Sequence, residues 1–571
     1  MTSNADTVFV EGTVFRSALL APRPGAVAVT AGRITALDDD ALASIGPDTE
    51  LVDLDGGLLL PGFVDAHVHP VEAGLEQLAC DLSAERTPAG YLAAISAYAA
   101  AHPERRWIVG GGWQQAAFPG GTPLAADLDR IVPDRPVFLQ NRDHHGAWVN
   151  STALHLAGID STTPDPVDGR IERGVDGTPN GSLHEGARAL VSKLVPVDTT
   201  AEVAAALLAA QHTLHSFGVT GWQDAIVGDY GSHTDTSPTY LAAVEDGTLT
   251  STVVGALWWD RERGLEQIDE LIARRATIAE RQAATVDRPG SFTAGTIKIM
   301  QDGIPENRTA AMIDPYLRTC DCGEAAVQDR GISFIDPAVL TEAVVRLDAA
   351  GFQLHFHAIG DRAVRECLDA LEAARARNGV STNRHHIAHV QIVHPDDLPR
   401  FAELDVAMNI QALWATWEPQ MLELNLPLLG DERAGWQYPF GGALRLGAML
   451  GAGSDWPVTT PDPWEALHVA VNRTLPADDP DHSPVPLNPG QALTLGQAVA
   501  AYTDGSNRIN HRDDAGRIEV GAIADLVVVD RDPFARPADQ IVSTRTVSTW
   551  IAGRRVFTST TNTTSIEQGT P

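Results

Sequence analysis

The sequence predicts an α/β protein, a (β/α)8 TIM-like barrel. A small β-sandwich built from both termini and an inserted subdomain after the first barrel strand complete the expected architecture. Three observations carry this reading. Eight short apolar segments in the centre of the chain alternate with stretches rich in Ala, Leu, Glu and Arg, the pattern of βα units feeding a parallel sheet. Both chain ends consist instead of strand-like runs separated by Gly, Pro and Asp. Residues 73–200 lie between the first two apolar segments and are too long for one crossover, so they need a subdomain of their own.

The elements follow in order. At the N-terminal end, Thr7–Val10, Gly25–Thr30, Gly32–Leu37 and Leu51–Leu54 read as strands. The barrel strands are expected at Gly62–His67, Gly218–Gln223, Thr252–Trp258, Thr296–Met300, Gln353–His357, His386–His389, Val406–Gln411 and Met449–Gly453. Helical stretches such as Leu340–Ala350 and Arg362–Arg377 follow them. Eight such units favour a closed barrel over an open sheet. At the C-terminal end, Gly516–Asp530 reads as a strand, a turn and a buried strand, and Val547–Phe557 as a hairpin turning at Gly553. The expected division is therefore 1–60 with 512–560 for the β-sandwich and 61–511 for the barrel, with an insertion at about 73–200. The Thr/Ser-rich stretch 561–571 is expected to be a disordered tail.

Composition narrows the partners. The net charge is −34 and the isoelectric point about 4.8, so nucleic acid and anionic membrane would be repelled. No apolar run reaches the ~18 residues that span a bilayer, and Met1–Asp6 lacks the pattern of a signal peptide. Four cysteines are too few for a disulfide framework, and Cys320-Asp-Cys322 reads as loop thiols because no second pair accompanies it. A cytoplasmic enzyme acting on a small molecule is expected, with a homodimer as the assembly to test.

The chemistry-bearing residues sit at strand ends. His67 and His69 are two apart after an apolar strand, so both imidazoles face one point, as ligands of a divalent metal would. Only two of the 41 cationic side chains are lysines, and one, Lys298, sits in the apolar run Gly295–Gly303. A buried lysine becomes neutral and reactive, which an arginine does not. A snorkelling or salt-bridged lysine is the alternative. Lys298 ends the fourth strand, His355 and His357 the fifth, His389 the sixth and Asp455 the eighth. Singly, these read as core histidines or a turn cap; together they converge on one barrel face.

These residues resemble the ligand set of the amidohydrolase superfamily. The strings Gly110-Gly-Gly-Trp113, Asn141–Ser151, Asp176–Glu185, Lys298-Ile-Met-Gln-Asp-Gly303 and His357-Ala-Ile-Gly-Asp-Arg-Ala363 are similar to its YtcJ-like branch, which includes N-substituted formamide deformylase. The resemblance runs from about residue 7 to 557. It implies a divalent metal centre, zinc by default, of one or two ions. His67 and His69 would hold the first ion and His357 and His389 the second. Lys298 would bridge them as a carbamate made with CO2, and Asp455 would bind the first ion and act as general base. A metal that activates water at neutral pH would then let Asp455 pass a proton to the leaving nitrogen.

The implied reaction is hydrolysis of a non-peptide C–N bond, most plausibly in an N-substituted formamide or related N-acyl amine. Rivals are hydrolysis of a cyclic amide, ester or amidine, or a catalytically silent small-molecule-binding protein. His145 is expected as an oxyanion donor and Glu185 as a further catalytic group. Trp113, Trp148, Asp302, Trp414 and Trp456 are expected around the substrate pocket, with Phe118 and Trp417 as further aromatic candidates; core packing is the alternative for the aromatics, and holding the strand-end loop or supporting a ligand the alternative for Asp302. His355 competes with His357, but the His-Ala-Ile-Gly-Asp context favours His357. Two stretches depart from the family pattern, Gln114-Gln115 and Ile304–Ala310.

Overall fold

A computed structural model describes residues 4–230, 233–285, 287–317 and 328–560. Cys320, Cys322 and the 561–571 tail lie outside the described residues. Eight parallel strands form the centre: β1 (Phe63–Val68), β2 (Val219–Val227), β3 (Thr252–Trp258), β4 (Ser291–Met300), β5 (Gln353–Ala358), β6 (His386–His389), β7 (Ala407–Ile410) and β8 (Leu450–Ala452). They pair in sequence order from β1 to β8. No ladder joins β8 to β1 among the described residues. Single hydrogen bonds just beyond the two strands close that seam: Asp455 N–H donates to His67 O at 2.7 Å, and His69 N–H donates to Trp456 O at 2.9 Å.

Two of the barrel helices start at clear caps. Helix Thr200–Ser216, the crossover into β2, has a reciprocal capping box between Thr199 and Glu202. Helix Pro337–Ala349 combines an Asp336 cap with Pro at its first position. These helices bury residues such as Leu214 and Leu340 in one core with Phe292, Phe356 and Ile387 of the strands. Inside the barrel the packing is polar. Gln223 Nε2 donates to Gln353 Oε1 at 3.1 Å, Thr296 Oγ1 donates to the same oxygen at 2.7 Å, and His386 Nε2 lies 3.0 Å from Gln223 Oε1. This satisfied network forms a floor beneath the strand ends.

The insertion carries a six-stranded mixed sheet, ordered Gly169–Arg173, Pro179–Glu185, Gly146–Val149, Val137–Asn141, Ile108–Trp113, Cys80–Asp81. Trp113, Phe118 and Trp148 fill its core with Tyr91, Ile95 and Leu139. Trp113 Nε1 donates to Leu139 O and Trp148 Nε1 to Leu124 O, both at 2.9 Å. The expectation that Trp113 and Trp148 line a substrate pocket is therefore corrected. Both rings are buried and their only polar atoms are spent on backbone carbonyls.

Strands from the two chain ends share one hydrogen-bonded sheet, in which Leu526–Val529 runs antiparallel to Leu58–Pro61. It forks at Thr7–Val14, which pairs with Arg23–Thr30, Glu50–Asp53 and Leu58–Pro61. Strand Thr546–Ile551 lies three places from Thr7–Val14, roughly 14 Å away in a flat sheet. Yet the Phe9 and Trp550 ring centroids are 5.1 Å apart, so the sheet curls over its own core. The expected strand beginning at Gly516 does not form; an isolated bridge between Ile523 and Arg33 precedes the continuous strand that starts at Leu526.

Candidate metal centre

All six expected ligands stand at the C-terminal ends of barrel strands. His67 ends β1 and His69 follows it, Lys298 lies on β4, His357 on β5, His389 on β6, and Asp455 follows β8. One ligand atom each from His67, His389 and Asp455 lies within 4.8 Å of the others. Asp455 Oδ1 is 3.0 Å from His67 Nε2 and 3.1 Å from His69 Nε2. The His357 and His389 ring centroids are 4.4 Å apart. His386 and His389 are three residues apart, yet both face the interior, because the chain passes through a left-handed φ of 73° at His389. Asp455 sits at a similar φ of 58°. Such conformations are costly for residues with a β-carbon and gather at functional sites.

The donor chemistry fits a metal. His357 Nε2 and His389 Nδ1 are shielded from solvent and have no hydrogen-bond partner. A buried imidazole nitrogen left unpaired costs free energy, and a cation would satisfy it. Burial and the neighbouring imidazoles hold both rings neutral, well below the usual histidine range, and a neutral ring is the ligand form. Burial pushes the Asp455 carboxyl up, but His67, His69 and His389 outweigh it and leave it well below the usual range. Burial also lowers the Lys298 ammonium to about 7, with Asp455 opposing. Its amine is thus partly neutral at neutral pH.

His355 takes a different place from His357. Its Nε2 lies 2.7 Å from His67 Nδ1, behind the ring whose Nε2 faces Asp455. It orients His67 from the far side, as partners of metal-binding imidazoles do. Asp65 was missed in the sequence, although it precedes His67 by two residues and so shares its face. It accepts from Ser454 Oγ at 2.6 Å and Ser454 N at 3.0 Å, and so fixes the turn that carries Asp455.

His145 and Glu185 come from the insertion and meet the barrel mouth. His145 Nδ1 is 2.9 Å from Glu185 Oε1, and the His145 ring lies 5.4 Å from that of His357. Burial pushes Glu185 up and His145 pulls it down, to about 2, while Glu185 raises His145. Thr309 Oγ1 donates to Glu185 Oε1 at 2.8 Å, and Asn307 Nδ2 to His145 O at 3.2 Å. Gln115 Nε2 donates to Asn307 Oδ1 at 3.0 Å, so the two departures from the family pattern touch each other.

Asp302 is fully buried. Its buried carboxylate accepts from the N–H groups of Gly360, Ala311 and Ile359 at 2.8, 2.9 and 3.0 Å, tying together the loops after β4 and β5. Trp456 is buried, and its carbonyl accepts from His69 N–H at 2.9 Å, so it supports the ligand strand. Trp414 does reach a cavity: it stacks on His389 at 5.2 Å and lines a space of about 160 Å³ with Ile304, Met421 and Tyr438. Gln114 and Glu306 of the departing stretches line the same space.

A model of the amidohydrolase family matches residues 50–557. The chain is 29% identical over 518 residues to "Putative amidohydrolase YtcJ" of Bacillus subtilis strain 168, covering 90% of this chain and 91% of that one. It is 26% identical over 554 residues to N-substituted formamide deformylase of Arthrobacter pascens, covering 92% and 94%. The fold matches the crystal structure of an uncharacterized metal-dependent hydrolase from Pyrococcus horikoshii with a TM-score of 0.68, at 23% identity, over 93% of this chain and 99% of that one. The chain belongs to the amidohydrolase family and is a hydrolase acting on carbon–nitrogen bonds.

Proposed function

We propose that this protein hydrolyses the amide bond of an N-substituted formamide or a related N-acyl amine, releasing an acid and an amine. The observation that carries the reading is the convergence of His67, His389 and Asp455 beside buried imidazole nitrogens without partners. His67, His69 and Asp455 would hold one divalent ion, with zinc as the default for an imidazole-rich set. His357 and His389 would hold a second. Lys298, buried and lowered to about 7, suits capture of CO2 as a carbamate, whose oxygens would serve both ions.

When bound, the metal polarises the substrate carbonyl and makes water a nucleophile at neutral pH. Asp455 takes the proton of the attacking water and delivers it to the leaving nitrogen. His145 is bonded to Glu185 through Nδ1, which leaves Nε2 to donate to the developing oxyanion. Glu185 acts through His145 and is a positioning residue. The Trp414 cavity would take the N-substituent, with Trp414, Ile304 and Met421 offering apolar contact and Arg142, Glu306 and Glu418 polar contact.

Release of amine from formanilide and benzylformamide by metal-loaded protein tests the reading. Turnover is expected, and Asp455→Asn should lower kcat by at least about 10²-fold, the range of a general base, while His67, His69 and His389 still retain metal. A loaded protein that binds such amides tightly and cleaves none would favour a silent binding protein instead.

A further inference from the structure

The cavity beside the candidate metal centre carries a charge that the hydrolytic step does not use. Trp414 forms one wall and stacks on His389 at 5.2 Å. Val458 forms another, and its N–H donates to Asp455 O at 2.8 Å. The group attached to the scissile amide would therefore lie in this space. Six carboxylates and two arginines line it, so its sign is negative. Arg86 is spent on Asp481 and Asp479, at 2.8 and 3.6 Å. Arg142 is anchored through Nε, which donates to Val458 O at 2.9 Å.

Two of the carboxylates have no cation. Glu306 belongs to the stretch Ile304–Ala310 that departs from the family pattern. Burial, with Asp143 adding to it, pushes its carboxyl up to about 7. Its bonded neighbours are side-chain amides, Asn425 and Gln420, and Asn425 Nδ2 donates to Glu306 Oε1 at 3.3 Å. Burial also pushes Glu418 up, with Arg142 opposing. Among the described residues neither carboxylate forms a salt bridge. Both act on one point, the Tyr438 hydroxyl in the same cavity, which burial and then Glu306 and Glu418 hold well above the usual range.

An independent observation points to a ligand. Asn425 is buried and lines the cavity, yet its Oδ1 is shielded from solvent and has no hydrogen-bond partner. A buried acceptor left unpaired costs free energy. An ammonium would satisfy it and the carboxylates together, since it offers three N–H donors and a positive charge. Trp414, Ile304 and Met421 line the same space, so an apolar body can carry that charge.

We propose that the substrate's N-substituent ends in a cationic group, held by Glu306 and Glu418 with Asn425 Oδ1. The substrate class is then an N-acylated diamine. This rests on the amide-hydrolase reading for the position of the amide.

The test uses three benzylformamides, bearing a para-aminomethyl, a para-hydroxymethyl or a para-carboxylate group. Binding is measured by calorimetry on metal-loaded Asp455→Asn protein, and turnover on the metal-loaded wild type. The aminomethyl compound is expected to bind at least about tenfold more tightly than either of the others. Equal binding of all three, or tightest binding of the carboxylate, would overturn the proposal. Glu306→Gln and Glu418→Gln, each added to the loaded protein, should shrink the ratio between aminomethyl and hydroxymethyl compounds. An unchanged ratio in both overturns the assignment, and should a variant fail to fold, the three-compound comparison decides alone. Preference for the cation with no compound cleaved supports the cation site and contradicts amide hydrolysis. Cleavage of all three without preference does the reverse.

Discussion

At the residue scale, the account turns on Lys298. Burial lowers its ammonium to about 7, so part of the population is a free amine at neutral pH. An arginine would keep the positive charge and offer no nucleophile. Lys298→Arg is therefore expected to lose bound catalytic metal and at least about 10²-fold in kcat, while Lys193→Arg changes neither. Metal analysis beside amide turnover checks this, and an active, metal-replete Lys298→Arg would refute the carbamate. Much at this scale was legible. Spacing at strand ends singles out His67, His69, Lys298, His355, His357, His389 and Asp455, the resemblance selects among them, and the structure places them at one end of the barrel. What was not legible depends on three-dimensional context. Strand alternation does not separate His355 from His357, since both face inward; the local His-Ala-Ile-Gly-Asp context favours His357, and the 2.7 Å contact of His355 with His67 shows where His355 goes instead. Trp113 and Trp148 illustrate the opposite error, because an aromatic in a recognisable string is as readily core as pocket.

At the scale of elements, the strand ends are held by loops whose backbone groups are spoken for. Asp302 binds three N–H groups from the loops after β4 and β5, which flank His357. Asp302→Asn would turn one acceptor into a donor facing N–H groups. The expected loss is about 1–3 kcal/mol of stability, read as a lower urea midpoint. An unchanged midpoint would show that the carboxylate is dispensable. The eight barrel strands were readable because apolar runs alternate with helical ones. Their ends were less so: β2 runs on to Val227 and β4 begins at Ser291, since pairing with neighbours, not composition, sets where a strand stops. The expected strand at Gly516 fails because its backbone meets its neighbours through single hydrogen bonds, Ile518 N–H to Arg16 O and Gly521 N–H to Ile34 O, and not through a continuous ladder.

At the scale of the whole molecule, buried ionisable groups set the response to pH. Burial holds His215 down at about 4, against ~6.5 unfolded. At this site the unfolded chain binds more protons below pH ~6.5, so the contribution of His215 is lost as pH drops toward 4, while the buried carboxyls of Asp65, Asp224, Glu306 and Asp462, pushed up to about 7, act in the opposite direction over the same range. Glu172, hydrogen-bonded to His184 and paired with Arg170, is lowered to about 2, and Glu185 likewise by His145. Their contributions are complete above ~4.3 and vanish as pH falls toward 2. The urea midpoint of the metal-free protein should therefore decline as pH falls from ~4.3 toward 2; a flat or rising midpoint in that window would contradict this. The curled terminal sheet was only partly readable, because strand grammar at both ends says that they meet but not that all share one ladder. The central claim is a bimetallic hydrolase centre bridged by Lys298, and a crystal structure grown with zinc and bicarbonate tests it most directly. The account predicts anomalous peaks beside His67, His69 and Asp455 and beside His357 and His389, with density for a carboxylate beyond Lys298 Nζ. A bare Nζ remote from any metal would contradict it.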